Sequence, residues 1–96
     1  MNQDIKEMSD IFKILSNDVR LCIISKLCYS GEQKVTDLQN CAGASQSFVS
    51  QQLSKLRNLG IVSSRKEGIE IYYSLVDKKI CNIIQKLEIC KLHNKE

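Results

Sequence analysis

Five cysteines carry the most reactive side chains of this sequence: Cys22, Cys28, Cys41, Cys81 and Cys90. A cysteine thiolate can bind a soft metal ion, react with an oxidant or form a bridge to a second cysteine. No two of the five form a C-x-x-C pair, which is the usual signature of a structural zinc site. Their odd number, together with a beginning that lacks the pattern of an export signal, disfavours the disulfide scaffold of a secreted protein. We therefore expect a cytoplasmic protein whose cysteines are structural, metal-binding or redox-active.

Packing is the alternative role for each cysteine, because a free thiol behaves as a small hydrophobic group and is often buried. Cys28 continues the apolar stripe of its predicted helix, which favours a place in the core. Cys41 stands next to a predicted turn and is interpreted as a packing residue, while Cys81 has no evident partner. The single histidine, His93, lies in a polar tail and is interpreted as solvated when taken alone.

A second candidate site is a polar helix face within residues 45–57. This face carries Gln46, Ser47, Ser50, Gln51, Ser54, Lys55 and Arg57, and no carboxylate. Reading the major groove requires side chains that donate and accept hydrogen bonds, with cations nearby for the phosphates. Any exposed helix has a polar face, but Arg65 and Lys66 follow in a predicted hairpin where they could contact the DNA backbone. The predicted DNA-binding residues are Ser45, Gln46, Ser47, Ser50, Gln51, Lys55, Arg57, Arg65 and Lys66.

The spacing of apolar residues predicts the elements that position these side chains. Helical periodicity indicates helices over about 3–15 and 18–29. Thr36 can cap a short third helix, Ser45 the polar helix and Asp77 a last helix. The buried stripe of the polar helix is predicted to comprise Phe48, Val49, Leu53 and Leu56. From residue 61 the period shifts towards two on either side of a glycine turn, which predicts a β-hairpin.

The order of elements predicts one domain over residues 1–96, mainly α with a β-hairpin wing: a winged helix-turn-helix of order ααααββα. The content of 43% hydrophobic and 26% charged residues is typical of a folded protein. The net charge of +3 does not by itself indicate that the protein binds nucleic acid. No apolar run approaches the roughly 18 residues of a membrane span, so no membrane partner is expected.

We expect a symmetric dimer, because a monomer would leave the apolar stripe of the last helix largely exposed to water. That stripe is Ile80, Ile83, Ile84 and Leu87.

Several segments of the chain, in order and over nearly its whole length, resemble the ArsR-type repressors. These segments are LSNDVRL at 15–21, SQSFVSQQL at 45–53, LRNLGIV at 56–62, RKEG at 65–68 and YYSL at 72–75. The resemblance implies a homodimer joined by its first and last helices, which reads a palindromic operator in double-stranded DNA and is released by an inducer. One departure is Gln52, where that family often has histidine. Because glutamine also donates and accepts hydrogen bonds, we expect this change to affect sequence preference more than DNA binding.

Metal-sensing members of the resembled family offer two sets of ligand positions for comparison. The arsenic, cadmium and lead type has cysteines in and just before the third helix, where residues 34–38 of this chain contain none. The zinc type matches Asp77, Lys79, Cys90 and His93, but a cationic Lys79 would oppose a metal ion. Cys90 and His93 remain one helical turn apart and form the alternative soft-metal site.

Another branch of the resembled family senses persulfides or oxidants with one cysteine in the second helix and one near the end of the last helix. Cys22 and Cys90 fall in those two elements, although the aligned positions are Ser25 and Leu92. Cys22 precedes Ser25 by three residues and shares its helix face. The resemblance therefore implies a thiol switch formed by Cys22 and Cys90, with the inducer a reactive sulfur species or an oxidant. A soft-metal site and the absence of any sensory role remain open.

Other classes of function fit the sequence less well. No arrangement of serine, histidine and aspartate, no phosphate-binding glycine loop and no pair of carboxylates is apparent, so neither catalysis nor a cofactor is expected. A winged helix that binds another protein instead of DNA remains a further alternative. Such a protein would bind nucleic acid weakly and with little dependence on salt.

Overall fold

A computed structural model of the chain describes residues 1–87, which form five helices and a small antiparallel sheet. The helices are α1 (Gln3–Leu15), α2 (Asp18–Ser30), α3 (Val35–Ala42), α4 (Gln46–Asn58) and α5 (Lys78–Lys86). The strands are β1 (Gln33–Lys34), β2 (Val62–Glu67) and β3 (Glu70–Leu75). The order of helices and the hairpin agrees with the prediction. The helix predicted over 3–15 coincides with α1, and the helix predicted over 18–29 is one residue shorter than α2.

Side-chain caps explain where several helices begin. Asn17 accepts a hydrogen bond from the backbone N–H of Arg20 at the start of α2, and Asp77 accepts one from Ile80 at the start of α5. The predicted cap at Thr36 is wrong, because Thr36 lies inside α3. Asp37 instead accepts a hydrogen bond from the backbone N–H of Lys34, which satisfies a donor that the helix leaves free.

The helix-turn-helix consists of α3, a turn of residues 43–45, and α4. Gly43 ends α3 in the left-handed conformation, with φ of 62°, where a side chain would strain the backbone. Ser45 then caps α4, since its Oγ accepts a hydrogen bond from the backbone N–H of Phe48 at 3.2 Å. The prediction that Ser45 begins the polar helix is therefore confirmed.

The wing is part of a three-stranded antiparallel sheet in the order β1-β3-β2. Strands β2 and β3 pair from Val62 opposite Leu75 to Glu67 opposite Glu70, as the predicted hairpin requires. The short strand β1 was not predicted, because two residues carry no measurable alternation. It pairs with the middle of β3 and so attaches the wing to the loop between α2 and α3.

The core lies where the helices meet the base of the hairpin. Its fully buried side chains include Ile23, Ile24, Leu38, Val49, Leu53, Leu56, Ile80 and Ile84. Two predictions about burial are corrected. Phe48 is 38% exposed because it points away from the core side of α4. Ile80 and Ile84 are buried within one protomer, so the reason given for a dimer at α5 does not hold for them.

Within residues 1–87, no helix is both long enough and apolar enough to cross a membrane.

Candidate nucleic-acid interface

Helix α4 presents a polar face to solvent while its other face packs in the core. Val49, Leu53 and Leu56 are fully buried and fix the rotation of the helix. Six of the seven polar side chains predicted for this face are exposed, and Ser50 is half-buried. The six are Gln46, Ser47, Gln51, Ser54, Lys55 and Arg57. The face can donate and accept hydrogen bonds along about three helical turns, as base reading in a major groove requires.

Gln52 does not belong to this polar face. Its side chain is only 4% exposed, and its Oε1 accepts a hydrogen bond from Nη1 of Arg20 at 3.1 Å. The same guanidinium donates from Nε to the backbone carbonyl of Ile14 at 2.9 Å. The expectation that Gln52 affects base preference is therefore wrong for this structure. Gln52 instead joins α4 to α2 and, through Arg20, to the end of α1.

Arg65 in the wing is held by carboxylates. Its guanidinium forms two hydrogen bonds of 2.7 Å with the carboxylate of Glu32, a third with Glu67, and lies 4.6 Å from the centre of the Tyr72 ring. The Arg65 hydrogen bonds lower the pKa of Glu32, and those carboxylates raise the pKa of Arg65. Both side chains are charged at neutral pH, so Arg65 must leave Glu32 before it can contact a phosphate with its full charge.

The remaining predicted cations differ in their surroundings. Lys66 is exposed and makes no ion pair with any residue between 1 and 87. Arg57 donates from Nη1 to Oγ of Ser64 at 3.3 Å, which joins the end of α4 to β2. Lys55 lies with Lys13 and Arg20 around a groove of about 220 Å³. In the described part of the chain, Lys66 is thus the wing cation best placed to contact a phosphate.

Comparison with known proteins identifies this arrangement. Residues 17–64, which include the helix-turn-helix and the start of the wing, match the family model described as bacterial regulatory protein, arsR family. The chain belongs to the ArsR family. Members of this family are DNA-binding transcriptional regulators and not enzymes, so the ArsR protein described here is a transcriptional regulator.

Proteins similar to this chain include regulators that are described by different metals. Over 84 residues, 88% of this ArsR chain and 71% of the relative, it is 38% identical to the cadmium resistance transcriptional regulatory protein CadC of Listeria innocua. It is 30% identical to the AntR antimony-specific transcriptional repressor, with a TM-score of 0.81 over 99% of this chain and 85% of the other. It is also 30% identical to reduced HlyU from Vibrio cholerae, with a TM-score of 0.77 and coverages of 95% and 97%. These likenesses confirm the winged helix-turn-helix fold.

Four of the five cysteines of this ArsR protein lie in two bonded pairs. Cys22 of α2 is bonded to Cys41 of α3, with their Cα atoms 6.6 Å apart. Cys28 of α2 is bonded to Cys81 of α5, with their Cα atoms 5.5 Å apart. Cys81 therefore has a partner that the sequence did not indicate, and Cys41 does more than pack.

The predicted partner of Cys22 lies outside the described residues. Cys90 and His93 both fall beyond residue 87, so the Cys22–Cys90 switch and the Cys90–His93 metal site stay predictions. Ser25, at the position where the resembled thiol sensors have cysteine, is fully buried, and its hydroxyl has no hydrogen-bond partner among residues 1–87.

The two zinc-type ligand positions that lie within residues 1–87, Asp77 and Lys79, make other contacts in this ArsR protein. Asp77 caps α5, and Nζ of Lys79 forms a 2.6 Å ion pair with Glu7 of α1. Glu7 raises the pKa of Lys79 through this hydrogen bond, which keeps the amine protonated and unable to bind a metal ion. Among residues 1–87, no group of three or more histidine, cysteine or acidic side chains could hold a metal ion.

Proposed function

We propose that this chain is a cytoplasmic repressor that binds a palindromic operator as a homodimer of a single domain and is released by an inducer acting on its cysteines. The observation that carries the proposal is the exposed polar face of α4, which has no carboxylate and stands on a buried stripe. In a symmetric dimer the two α4 helices would enter major grooves about one helical turn apart. Ser45, Gln46, Ser47, Ser50 and Gln51 would read bases, and Lys55, Arg57, Arg65 and Lys66 would contact phosphates.

Helix α1 supports the dimer. Ile5 is 61% exposed and Phe12 is 55% exposed, and both lie with Met8 and Ser9 around one shallow groove of this helix. Apolar side chains grouped on one face of a small protein commonly mark an interface. A second copy related by a twofold axis would cover them, since the same face would meet itself.

The nature of the inducer is proposed from the cysteine content. Two bonded pairs of half-buried cysteines favour a reactive sulfur species or an oxidant, because two nearby sulfurs can bridge once one of them is oxidised. A soft-metal response is the second candidate, favoured by similar proteins described by cadmium resistance and antimony specificity. In this chain such a site would need ligands beyond residue 87 or from a second protomer. Release of DNA by cadmium or antimonite from protein that does not respond to oxidants would favour the metal.

The DNA assignment is tested by comparing a base reader with a phosphate contact. A randomised duplex library is first enriched on the reduced protein, and the best-bound duplex serves as the probe. Gln51→Ala should weaken binding to it by about 1–3 kcal/mol and relax base preference. Lys66→Ala should instead weaken all sequences alike and reduce the salt dependence by roughly one unit of the log–log slope. Identical behaviour of the two variants, or failure to enrich any duplex, would contradict the proposal.

A further inference from the structure

We propose that Cys22 and Cys41 are a redox-regulated pair, and that a hydroperoxide which bridges them ties α2 to α3 and lowers the affinity of α4 for DNA. The inference rests on the proposed function, because loss of DNA binding is its consequence. Its structural basis is separate. The two Cα atoms are 6.6 Å apart, which lies within the range that a bridge requires, and both side chains are half-buried rather than sealed in the core.

The position of Cys41 gives the bridge direct access to the DNA-reading helix. Cys41 lies in the last turn of α3, and only the turn of residues 43–45 separates that helix from α4. Gly43 and the Ser45 cap give this turn a defined conformation. A turn this short cannot absorb much displacement, so a restraint on the end of α3 is transmitted to the first residues of α4, which include Gln46.

A second connection makes the restraint more effective. Arg20 lies in α2 two residues before Cys22, and its guanidinium holds Gln52 of α4 at 3.1 Å. With the bridge formed, α2 is joined to α3 by sulfur and to α4 by this hydrogen bond. The helix-turn-helix is then held on α2 at both of its helices, and it has less freedom to adjust its angle to a DNA groove.

The other pair serves as an internal comparison. Cys28 packs against the core, and its bond to Cys81 joins α2 to α5 without touching α3 or α4. Oxidation of this pair should stabilise the fold without holding the helix-turn-helix. The two pairs therefore differ in position: the Cys22–Cys41 bond joins α2 to the helix-turn-helix, whereas the Cys28–Cys81 bond joins α2 to α5.

The chemistry is a two-electron oxidation. One thiolate attacks an oxygen of the hydroperoxide, the O–O bond breaks, and the departing oxygen takes up a proton to give an alcohol or water. The second thiolate attacks the resulting sulfenic sulfur, so that an S–S bond forms and hydroxide leaves and is protonated to water. The two cysteines lose two electrons to the peroxide. A cellular dithiol reductant reverses the step by exchange and is itself oxidised.

We expect the Cys22–Cys41 bridge to be transient in the cytoplasm, where the protein is proposed to act. Thiol reductants in the cytoplasm keep most cysteines reduced, and disulfides there are commonly catalytic or sensory. The reduced pair would then be the DNA-binding state. The bridged pair would form only when peroxide exceeds the reducing capacity.

The experiment uses the full chain, first reduced and then treated with hydrogen peroxide. Peptide mass spectrometry should map a Cys22–Cys41 bridge, and the dissociation constant for the library-selected duplex should rise at least about tenfold. Dithiothreitol should restore the original value. A bridge from Cys22 to Cys90 instead, or a mapped Cys22–Cys41 bridge that leaves DNA binding unchanged or tighter, would overturn the inference.

Variants separate the pairs. Cys22→Ser and Cys41→Ser should each bind DNA normally when reduced and lose the peroxide response, whereas Cys81→Ser and Cys90→Ser should keep it. Circular dichroism of each reduced variant checks the fold, and Cys41→Ala replaces Cys41→Ser if the serine variant unfolds. A response retained in folded Cys41 variants would refute the pairing. If no duplex is selected at all, the proposed function fails, while the mapping of the bridge still tests the pair.

Discussion

At the scale of single residues, Arg20 in the first turn of α2 contacts two other helices. Its guanidinium donates to the carbonyls of Ile14 and Lys13 at the end of α1 and to Gln52 of α4. The last carbonyls of a helix have no partner within the helix, so Arg20 supplies a donor to the Ile14 carbonyl. The Lys13 carbonyl also accepts a hydrogen bond from the Ser16 hydroxyl at 2.7 Å. Gln52 completes the set from the other side. One side chain therefore joins the helix with the exposed apolar face to the helix that faces DNA.

Replacing Gln52 tests whether it supports the fold or reads bases. Gln52→Leu removes the acceptor for Nη1 of Arg20, and loss of a buried hydrogen bond to a charged group should lower the free energy of unfolding by about 2 kcal/mol. Gln52→Glu keeps an acceptor at the same place and should cost much less. Urea denaturation of the reduced proteins measures both. Wild-type stability in Gln52→Leu with altered base preference would instead assign Gln52 to the DNA interface.

At the scale of elements, the wing is attached to the body through Glu32. This residue lies in the connection between α2 and β1, and its carboxylate binds Arg65 of β2 and accepts a hydrogen bond from Ser74 of β3 at 3.4 Å. The pairing of β1 with β3 holds the same connection against the sheet. The hairpin is therefore oriented by a short strand and an exposed ion pair. Phosphates must compete with Glu32 for the charge of Arg65.

Glu32→Gln should remove one of the two carboxylates that hold Arg65, leaving its contact with Glu67. We expect tighter binding to all duplexes and a log–log salt dependence steeper by about one unit, because Arg65 becomes available to one more phosphate. Glu70→Gln is the matched control, since Glu70 is an exposed wing carboxylate that makes no ion pair within the described residues. Binding across a salt series measures both. Equal effects of the two variants would mean that only net charge changes.

The pH dependence of this contact follows from the lowered pKa of Glu32. A carboxylate with a lowered pKa contributes fully above its usual value of 4.5, and the contribution is lost as the pH falls through the lowered value. The difference in DNA affinity between wild type and Glu32→Gln should therefore stay constant throughout the neutral pH range.

At the scale of the whole molecule, one protomer leaves apolar surface on α1 and at Leu87, which ends α5 and is 57% exposed. Ile80 and Ile84 fill the monomer's own core, while Ile5 and Phe12 are more than half exposed. An ion pair between the exposed side chains of Glu7 and Lys79 links α1 to α5 in the same protomer. The apolar surface of α1 is thus the side proposed to meet a second copy, whereas the polar face of α4 is the side proposed to meet DNA.

Phe12→Lys tests this side as the dimer interface. Burial of a large apolar side chain contributes about 1.5–3 kcal/mol, and twofold symmetry counts it twice, so the dimer should weaken by roughly a hundredfold or more. Ile69→Lys is the control, because Ile69 is 95% exposed at the tip of the wing. Sedimentation at micromolar concentration should find a wild-type dimer, a Phe12→Lys monomer and an Ile69→Lys dimer. A monomeric wild type would contradict the proposed assembly.

The sequence alone determined the five helices, the hairpin and the family of this protein. Helix periodicity and the caps at Ser45 and Asp77 depend on residues a few positions apart, so they can be read locally. The change of period after residue 60 gave the hairpin in the same way. The absence of carboxylates from the outer face of α4 was visible because a helix of known phase assigns each residue to a side.

Only the tertiary structure decided which side chains meet across the chain. Arg65 contacts Glu32 from 33 residues away, and Cys28 meets Cys81 from 53 residues away, with no local pattern that announces either pair. Gln51 and Gln52 are neighbours in α4, and their residue type offers no reason to place them on different faces. The contact with Arg20 explains why Gln52 is buried while Gln51 is exposed. Strand β1 exists because β3 offers it hydrogen bonds, which two residues could not make alone. Contacts of this kind depend on how separate elements pack, and packing is fixed only when the whole core forms.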